Sequence, residues 1–249
     1  MFTNQQKFRI IFLFFTISLF LTPSLSAQKS NDAVINTVKE LHDYSAYFYG
    51  IDDLLVNGRK YVPAHGNAKG HPYFIEPDWV TGTLVIKEKT YKDVEFKYNI
   101  DLDKIILRAE VTRGGLVYVL LNDDFVTSFI IGEHYFINSS QLLLADNSGY
   151  FELVFEGEHT LLIKHHKSFI SEFSQNAPLG RFSDLNSIKY IYCDGMLYKI
   201  PNTKSFLMYF KPFRKEIKKY MKQEKIKYKK ANNFELHHLL KYCNEISSK

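Results

Sequence analysis

The chain has 249 residues, two cysteines and a formal net charge of +5. This length fits one large domain or two small ones with a sizeable hydrophobic core, so the fold does not depend on a disulfide framework. The modest net charge excludes no class of partner until the charges are located along the chain.

The first 27 residues have the pattern of a cleavable export signal. Lys7 and Arg9 precede an apolar run, Ile10–Leu21, and small residues ending at Ala27 form a cleavage-like site. The run is shorter than the roughly 18 apolar residues of a spanning helix, which argues against an uncleaved anchor. No cysteine lies near the site, so a lipoprotein anchor is excluded. The sequence predicts an exported chain, periplasmic, outer-membrane-associated or extracellular, with mature residues 28–249 and no transmembrane span.

Two segments precede the first predicted strand. Residues 31–50 begin at a capping Asn31 and repeat apolar residues at helical spacing, which predicts a short N-terminal helix. The stretch Lys60–Trp79, KYVPAHGNAKGHPYFIEPDW, is rich in proline, glycine and aromatic residues. It predicts an irregular strap whose aromatic rings close one end of a β core.

Short runs of β-forming residues follow, separated by turn residues at intervals of about 8 to 12 residues. One predicted strand alternates apolar residues, Phe96, Tyr98 and Ile100, with polar ones. We therefore expect one side of this strand to be buried and the other to be exposed to solvent. Because most connections are short, we expect sequence neighbours to pair as antiparallel hairpins. The runs are 82–88, 91–100, 104–110, 115–121, 125–131, 134–139, 150–157 and 159–166.

The pattern then changes. Residues 167–184 are polar and contain proline and glycine, which predicts a loop or a mobile insertion. A final strand pair follows, with Asp194-Gly195 as its turn. From about residue 203 to 247 we expect two or three helices, with Pro212 at the first position of the second. Either Asn232 or Asn233 caps the last helix.

Most of the positive charge lies in this helical end. Residues 204–230 contain ten lysines and one arginine but only two glutamates, so this segment has a charge of +9. Two interpretations stay open: a solvated helix face, or a binding surface for an anionic lipid or polysaccharide of the envelope. We expect no nucleic-acid partner, because no nucleic-acid-binding motif is present. The lysines that would carry such binding are Lys215, Lys218, Lys219 and Lys222.

Histidines and acids are the other candidate site residues. His65 and His71 lie in the glycine-bearing strap near Trp79, and these three residues are the candidate binding residues there. The loop has no rigid metal-ligand spacing, so we expect a structural hydrogen-bonding His71, no metal site and no cofactor.

The acid pairs Asp52-Asp53, Asp101/Asp103 and Asp123-Asp124 sit at predicted turns, and a glycan hydrolase would require two such carboxyl groups to meet in one cleft.

Catalytic signatures are missing from the sequence. It contains no GxSxG, HExxH or CxxC motif and no phosphate-binding glycine loop, so no catalytic residue is predicted. Cys193 falls in a predicted strand and Cys243 in the last predicted helix. They are either a disulfide that joins the helix to the sheet or two buried free thiols, and the size of the domain favours free thiols.

Several residues occur in an order that resembles an uncharacterised family of exported proteins common in Bacteroidota. The pattern includes GHPYF, then Trp79, then GTL, YxxVxxxYNIxxDxIIL and, near the end, KSFLxxFxxxxKEIxxY. The resemblance covers most of the mature chain and implies a cell-envelope location and a single β-rich unit, without implying any reaction or ligand. The matching residues are Tyr61, Gly70, His71, Pro72, Phe74, Trp79, Gly82, Tyr91, Val94, Tyr98, Asp103, Ile105, Phe206, Glu216, Ile217 and Tyr220.

The sequence as a whole predicts an α+β domain that is mainly β. An antiparallel meander forms an open barrel or stacked sheet, preceded by a short helix and followed by two or three helices. The predicted role is a non-enzymatic binding or structural one in the cell envelope or outside the cell. A polyanion- or lipid-binding module and a glycan-acting hydrolase are the alternatives.

Overall fold

The computed structural model describes residues 58–111, 115–142, 149–172 and 174–248, and the predicted signal and N-terminal helix lie outside these ranges. The described residues form thirteen strands and three α-helices. The strands are β1 (Gly58–Lys60), β2 (Val80–Ile86), β3 (Lys89–Asn99), β4 (Lys104–Val111), β5 (Gly115–Leu121), β6 (Val126–Ile131), β7 (His134–Asn138), β8 (Tyr150–Phe155), β9 (Thr160–His166), β10 (Phe169–Ile170), β11 (Arg181–Phe182), β12 (Asn186–Cys193) and β13 (Met196–Lys199). The helices are α1 (Thr203–Tyr209), α2 (Arg214–Gln223) and α3 (Asn233–Ser247).

Eleven of these strands form one antiparallel sheet in the order β1-β5-β4-β3-β2-β6-β7-β8-β9-β12-β13. This sheet and the C-terminal helices confirm the prediction of a mainly β, α+β fold. The segment 167–184 is less irregular than predicted, because β10 and β11 pair as a small two-stranded ribbon within it. Asp194 and Gly195 both have positive φ, of 50° and 74°, as the predicted tight turn between β12 and β13 requires.

The first half of the sheet is curled. Strands β5 and β6 are joined by residues 122–125 alone, yet β4, β3 and β2 lie between them in the sheet. Four interstrand gaps in a flat sheet span about 19 Å. The five steps from Leu121 to Val126 reach at most about 17 Å when fully extended, and here they form a turn. The sheet must therefore bend until β5 approaches β6. The expectation that sequence neighbours pair as antiparallel hairpins is wrong for β5 and β6.

One side of the sheet carries two hydrophobic cores. The curl encloses the first, in which cross-strand partners such as Phe96 and Leu107 are almost completely buried. The second lies where the three helices pack on β9 and β12, around residues such as Leu161 and Leu239. Burial of each such side chain contributes about 2 kcal/mol, so these two cores account for most of the favourable packing energy. Cys193 and Cys243 are buried in the second core as free thiols.

The helices begin at the residues that their caps specify. Asn232 accepts a hydrogen bond from the backbone N–H of Glu235, and Glu235 binds back to the N–H of Asn232, so Asn232 is the cap of α3. Asn233 is the first helical residue, and its side chain points to the sheet. Pro212 lies in a short 3-10 turn before α2 and not at the first position of that helix. None of the helices described is both long and apolar enough to cross a membrane.

Candidate functional site

The strap predicted from the sequence crosses the end of β3. The backbone N–H of Phe74 donates to the carbonyl of Tyr98 at 2.9 Å, and the N–H of Ile100 donates to the carbonyl of Pro72 at 2.9 Å. The Phe74 ring is 4% exposed and belongs to the first core, so the predicted closure of the core by a strap aromatic is confirmed for this residue. Trp79 was predicted to do the same, but it is only half-buried and stacks on Tyr118 with ring centroids 5.0 Å apart.

A buried ammonium group holds the strap against the sheet. Lys167 is 8% exposed, and its Nζ donates to the carbonyls of His71 at 3.2 Å and Tyr73 at 2.9 Å. The same Nζ lies 3.4 Å from His71 Nδ1, which must accept because an ammonium only donates. Burial, followed by the positive charge of Lys167, lowers the pKa of His71. His71 is therefore a neutral hydrogen-bond acceptor in this structure.

The strap histidines border a small cavity of about 250 Å³. His65 and His71 both line it, and the His65 ring stacks on Phe169 with centroids 3.5 Å apart. The structure thus brings two of the predicted binding residues together. Trp79 does not line this cavity. Among the described residues, no group of three or more histidine, cysteine or acidic side chains is placed to hold a metal ion.

A larger cleft of about 470 Å³ is lined by strap residues, by β3 and by the β6–β7 turn. Its walls are largely apolar, and five ionisable side chains are distributed among them. Sequence reasoning did not group these residues, because they come from separate segments. The apolar residues are Phe74, Ile75, Val80, Tyr98 and Ile131, and the ionisable ones are Glu76, Asp78, Lys97, Glu133 and His134.

The lysine of the cleft is already engaged by the protein. Lys97 Nζ lies 4.5 Å from the ring centroid of Tyr73 and 4.7 Å from that of Trp79, and it hydrogen-bonds the carbonyl of Pro77. Burial lowers the pKa of Lys97, whereas the negative charge of Asp78 opposes this change. Lys97 therefore fixes the strap aromatics by cation–π contact and offers little positive charge to a ligand.

A row of polar side chains leads from the cleft wall across four adjacent strands. His134 Nδ1 hydrogen-bonds Glu152 Oε1, and His165 Nε2 lies 2.7 Å from Glu152 Oε2. His165 Nδ1 lies 2.8 Å from Ser187 Oγ. Asn233, at the start of α3, donates to Glu152 Oε1 at 2.5 Å. The row lies at the boundary of the two cores and joins the helical end to the sheet.

The sheet register explains why these residues meet. The direct cross-strand partners of Glu152 are Phe136 of β7 and Ile163 of β9. His134 lies two residues before Phe136, and His165 lies two residues after Ile163. Both histidines are therefore on the same face of the sheet as Glu152. Ser187 is the direct cross-strand partner of His165. No local motif marks this row, because its members come together only through strand pairing.

Glu152 is ionised in the folded protein. Burial by itself would raise its pKa, but hydrogen bonds from His134 and His165, together with the charges of those rings, outweigh this effect and lower the pKa to about 2. The hydrogen bond to Glu152 correspondingly raises the pKa of His134. Because a carboxylate only accepts, the histidine nitrogens that face it carry protons.

Comparisons with known proteins do not assign these sites. No protein-family model, curated protein or solved structure matches the chain. Function must therefore be inferred from the chemistry of the side chains themselves.

The basic surface of α2 is the last candidate. Its four candidate lysines, at positions 215, 218, 219 and 222, follow the spacing i, i+3, i+4 and i+7, so they share one face of the helix. All four are exposed, whereas Ile217 and Met221 on the opposite face are buried in the second core. No acidic residue interrupts this face, which we call the lysine face. It lies on α2, away from the strap histidines in the sequence, and is a separate candidate site.

Three of the predicted turn aspartates have structural partners, and the first of them, Asp101, accepts a hydrogen bond from the backbone N–H of Phe169 at 3.2 Å. Asp103 accepts a hydrogen bond from the Tyr98 hydroxyl at 2.5 Å and pairs with Lys164. Asp123 accepts from the Tyr150 hydroxyl at 3.2 Å and pairs with Lys104. Asp52 and Asp53 lie outside the described residues. The acids that share the larger cleft are Glu76, Asp78 and Glu133, which the hydrolase hypothesis had not named.

Proposed function

We propose that the protein is an exported cell-envelope or secreted binding protein whose larger cleft holds a small amphipathic cation. The observation that carries this proposal is a cleft of about 470 Å³ with a mainly apolar wall and three exposed acids, Glu76, Asp78 and Glu133. A concave apolar site with a few polar groups is the usual form of a small-molecule site. Export and membership of the Bacteroidota family are part of the same proposal and are supported by residues 1–27 and by the GHPYF pattern.

The charge balance of the cleft favours a cationic group on the ligand. Lys97 offsets one of the three acids, and His134 is hydrogen-bonded to the Glu152 carboxylate, so it contributes no free positive charge to the cleft. The net charge along the cleft is therefore negative. Exposed Ile75 and half-buried Val80 supply apolar surface for the body of the ligand. A primary amine carried on a hydrophobic body fits both features.

Fluorescence titration with dansylcadaverine, which joins an apolar ring system to a primary amine, tests this proposal. The neutral probe dansylamide is the matched ligand control, and we expect it to bind more weakly. Replacing Glu76 and Glu133 with glutamine should weaken binding of the amine about fivefold, since each exposed charge contributes less than about 1 kcal/mol. Glutamine at Glu88 and Glu110, two exposed acids outside the cleft, should change nothing. Equal binding of the two probes, or unchanged affinity in the cleft variant, would refute the proposal.

The lysine face supports a second candidate function, attachment to an anionic phospholipid surface. Four exposed lysines on one helical face attract a surface of phosphate groups, at about 1 kcal/mol for each lysine close to the membrane. The four lysines belong to segment 204–230, whose total charge of +9 favours the same attraction. The attraction should weaken as salt is added, because the face is exposed.

Co-sedimentation with phosphatidylglycerol vesicles at low salt tests this second candidate. Glutamine at all four lysines of the lysine face should reduce binding about 100-fold or more. A charge-matched control replaces four other exposed lysines, Lys60, Lys69, Lys92 and Lys199, and should bind nearly as the native protein does. Unmeasurable vesicle binding would end the lipid hypothesis. Tighter binding to an acidic polysaccharide than to vesicles would assign the surface to that polymer instead.

A further inference from the structure

The polar row ends at a serine whose surroundings differ from those of an ordinary surface hydroxyl. Ser187 is exposed on β12, and its Oγ lies 2.8 Å from His165 Nδ1. His165 is 7% exposed, and its other ring nitrogen lies 2.7 Å from the buried Glu152 carboxylate. A hydroxyl, an imidazole and a carboxylate are thus joined in series by hydrogen bonds.

The protonation state of this series follows from its acceptor. When His165 is neutral, its proton lies on Nε2, because the Glu152 carboxylate facing this nitrogen can only accept. The lone pair of Nδ1 is then directed at Ser187, whose hydroxyl donates its proton to it. Asn233 and His134 donate to the second oxygen of Glu152 and hold the carboxylate in place. The imidazole is therefore fixed as a base for the serine hydroxyl.

We propose that Ser187 is a nucleophile for acyl esters, with His165 as its general base and Glu152 as a positioning residue. Ser187 Oγ forms a bond to the ester carbonyl carbon while its proton passes to His165 Nδ1. The C–O bond to the alcohol then breaks, and the alcohol leaves with the proton from His165. Water hydrolyses the resulting acyl-serine by the same proton transfers, which releases the carboxylic acid and restores the hydroxyl. The exposed position of Ser187 admits esters that are presented at the surface of the sheet.

A neighbouring pair provides an internal control. Ser168 Oγ lies 2.7 Å from His166 Nε2, so it also has an imidazole partner. Within the described part of the chain, the His166 ring is hydrogen-bonded to Ser168 and no carboxylate orients it. Comparing Ser168 with Ser187 therefore separates the effect of a serine–histidine hydrogen bond from the effect of a serine–histidine–carboxylate series.

The decisive experiment is covalent labelling of the purified protein with a fluorophosphonate, which phosphonylates activated serines. We expect the label on Ser187, with a rate about 100-fold above that of the Ser187→Ala variant, as a general base typically provides. Ser168→Ala should be labelled like the native protein.

A second measurement follows hydrolysis of p-nitrophenyl acetate by the same three proteins. Ser187→Ala removes an exposed hydroxyl together with its hydrogen bond to the buried His165 Nδ1, so the unfolding midpoints of the variant and the native protein are measured and activities are compared well below both. Absence of label from Ser187, equal labelling of Ser168, or unchanged ester hydrolysis in Ser187→Ala would each overturn the proposal. None of these outcomes bears on the larger cleft, so the binding function is tested separately.

Discussion

Replacing Glu152 with glutamine keeps the shape of the side chain and removes the charge at the centre of the polar row. The Glu152 carboxylate is 2% exposed and receives hydrogen bonds from three side chains. A carboxyl group whose pKa falls from 4.5 to about 2 on folding contributes about 3 kcal/mol to the free energy of unfolding near neutral pH. We therefore expect the variant to lose about 3 kcal/mol near pH 6.

The pH dependence of this loss has a defined direction. Because folding lowers the pKa of Glu152, its contribution is complete above about pH 4.5 and disappears as the pH falls towards 2. Folding raises the pKa of His134. The stability that its ion pair with Glu152 contributes is therefore complete below about pH 6.5, and it is lost as the pH rises through the pKa of His134 in the folded protein. The difference between the native protein and the variant should thus be largest between about pH 4.5 and 6.5.

Urea unfolding, followed by the fluorescence of Trp79, the chain's single tryptophan, measures this difference. Glu95→Gln is the control, because Glu95 pairs with Arg108 at the surface and should contribute less than about 1 kcal/mol. If Glu152→Gln lost as much stability at about pH 3 as at pH 6, the loss would come from shape and not from charge. The ionic description of the row would then be wrong.

Further predictions concern the ends of the chain, the strap and the thiols. If the signal is cleaved as proposed, mass spectrometry of the exported protein should find Gln28 at its N-terminus. Lys167→Met should leave two strap carbonyls without their buried donor, cost about 1 to 3 kcal/mol and speed proteolysis within residues 61–79, which limited digestion would detect. Burial raises the pKa of Cys193 and raises that of Cys243 to about 12, so neither thiol should react with iodoacetamide until the protein is unfolded. After unfolding without a reductant, both cysteines should react with iodoacetamide. Reaction of only one cysteine, or of neither, would contradict the free-thiol state.

The sequence pattern was most informative where burial alternates along a strand. Gly115–Leu121 was predicted with its observed bounds, and the other long strands differ by one or two residues. Strand β1 was missed because its three residues are all exposed and carry no alternation. The pairing of β2 with β6 was also missed, because it joins residues such as Leu84 and Phe129 that no local turn connects.

The candidate sites were harder to predict, for a related reason. His134, Glu152, His165 and Ser187 are separated by 18, 13 and 22 residues, and only the sheet register brings them together. A motif search detects fixed local spacing and so could not find them. The lysine face was predictable, because helical periodicity is local and alone decides which side chains share a face.

The two outer strands of the described sheet affect how the protein avoids self-association. Unpaired backbone groups at a sheet edge can act as a template for other chains and lead to aggregation. Here one edge, β1, has only three residues, of which Arg59 and Lys60 are charged. The other edge, β13, has four residues and is followed by Ile200 and then by Pro201, which cannot extend a ladder. Short, charged and proline-terminated edges offer little template for pairing with a second molecule.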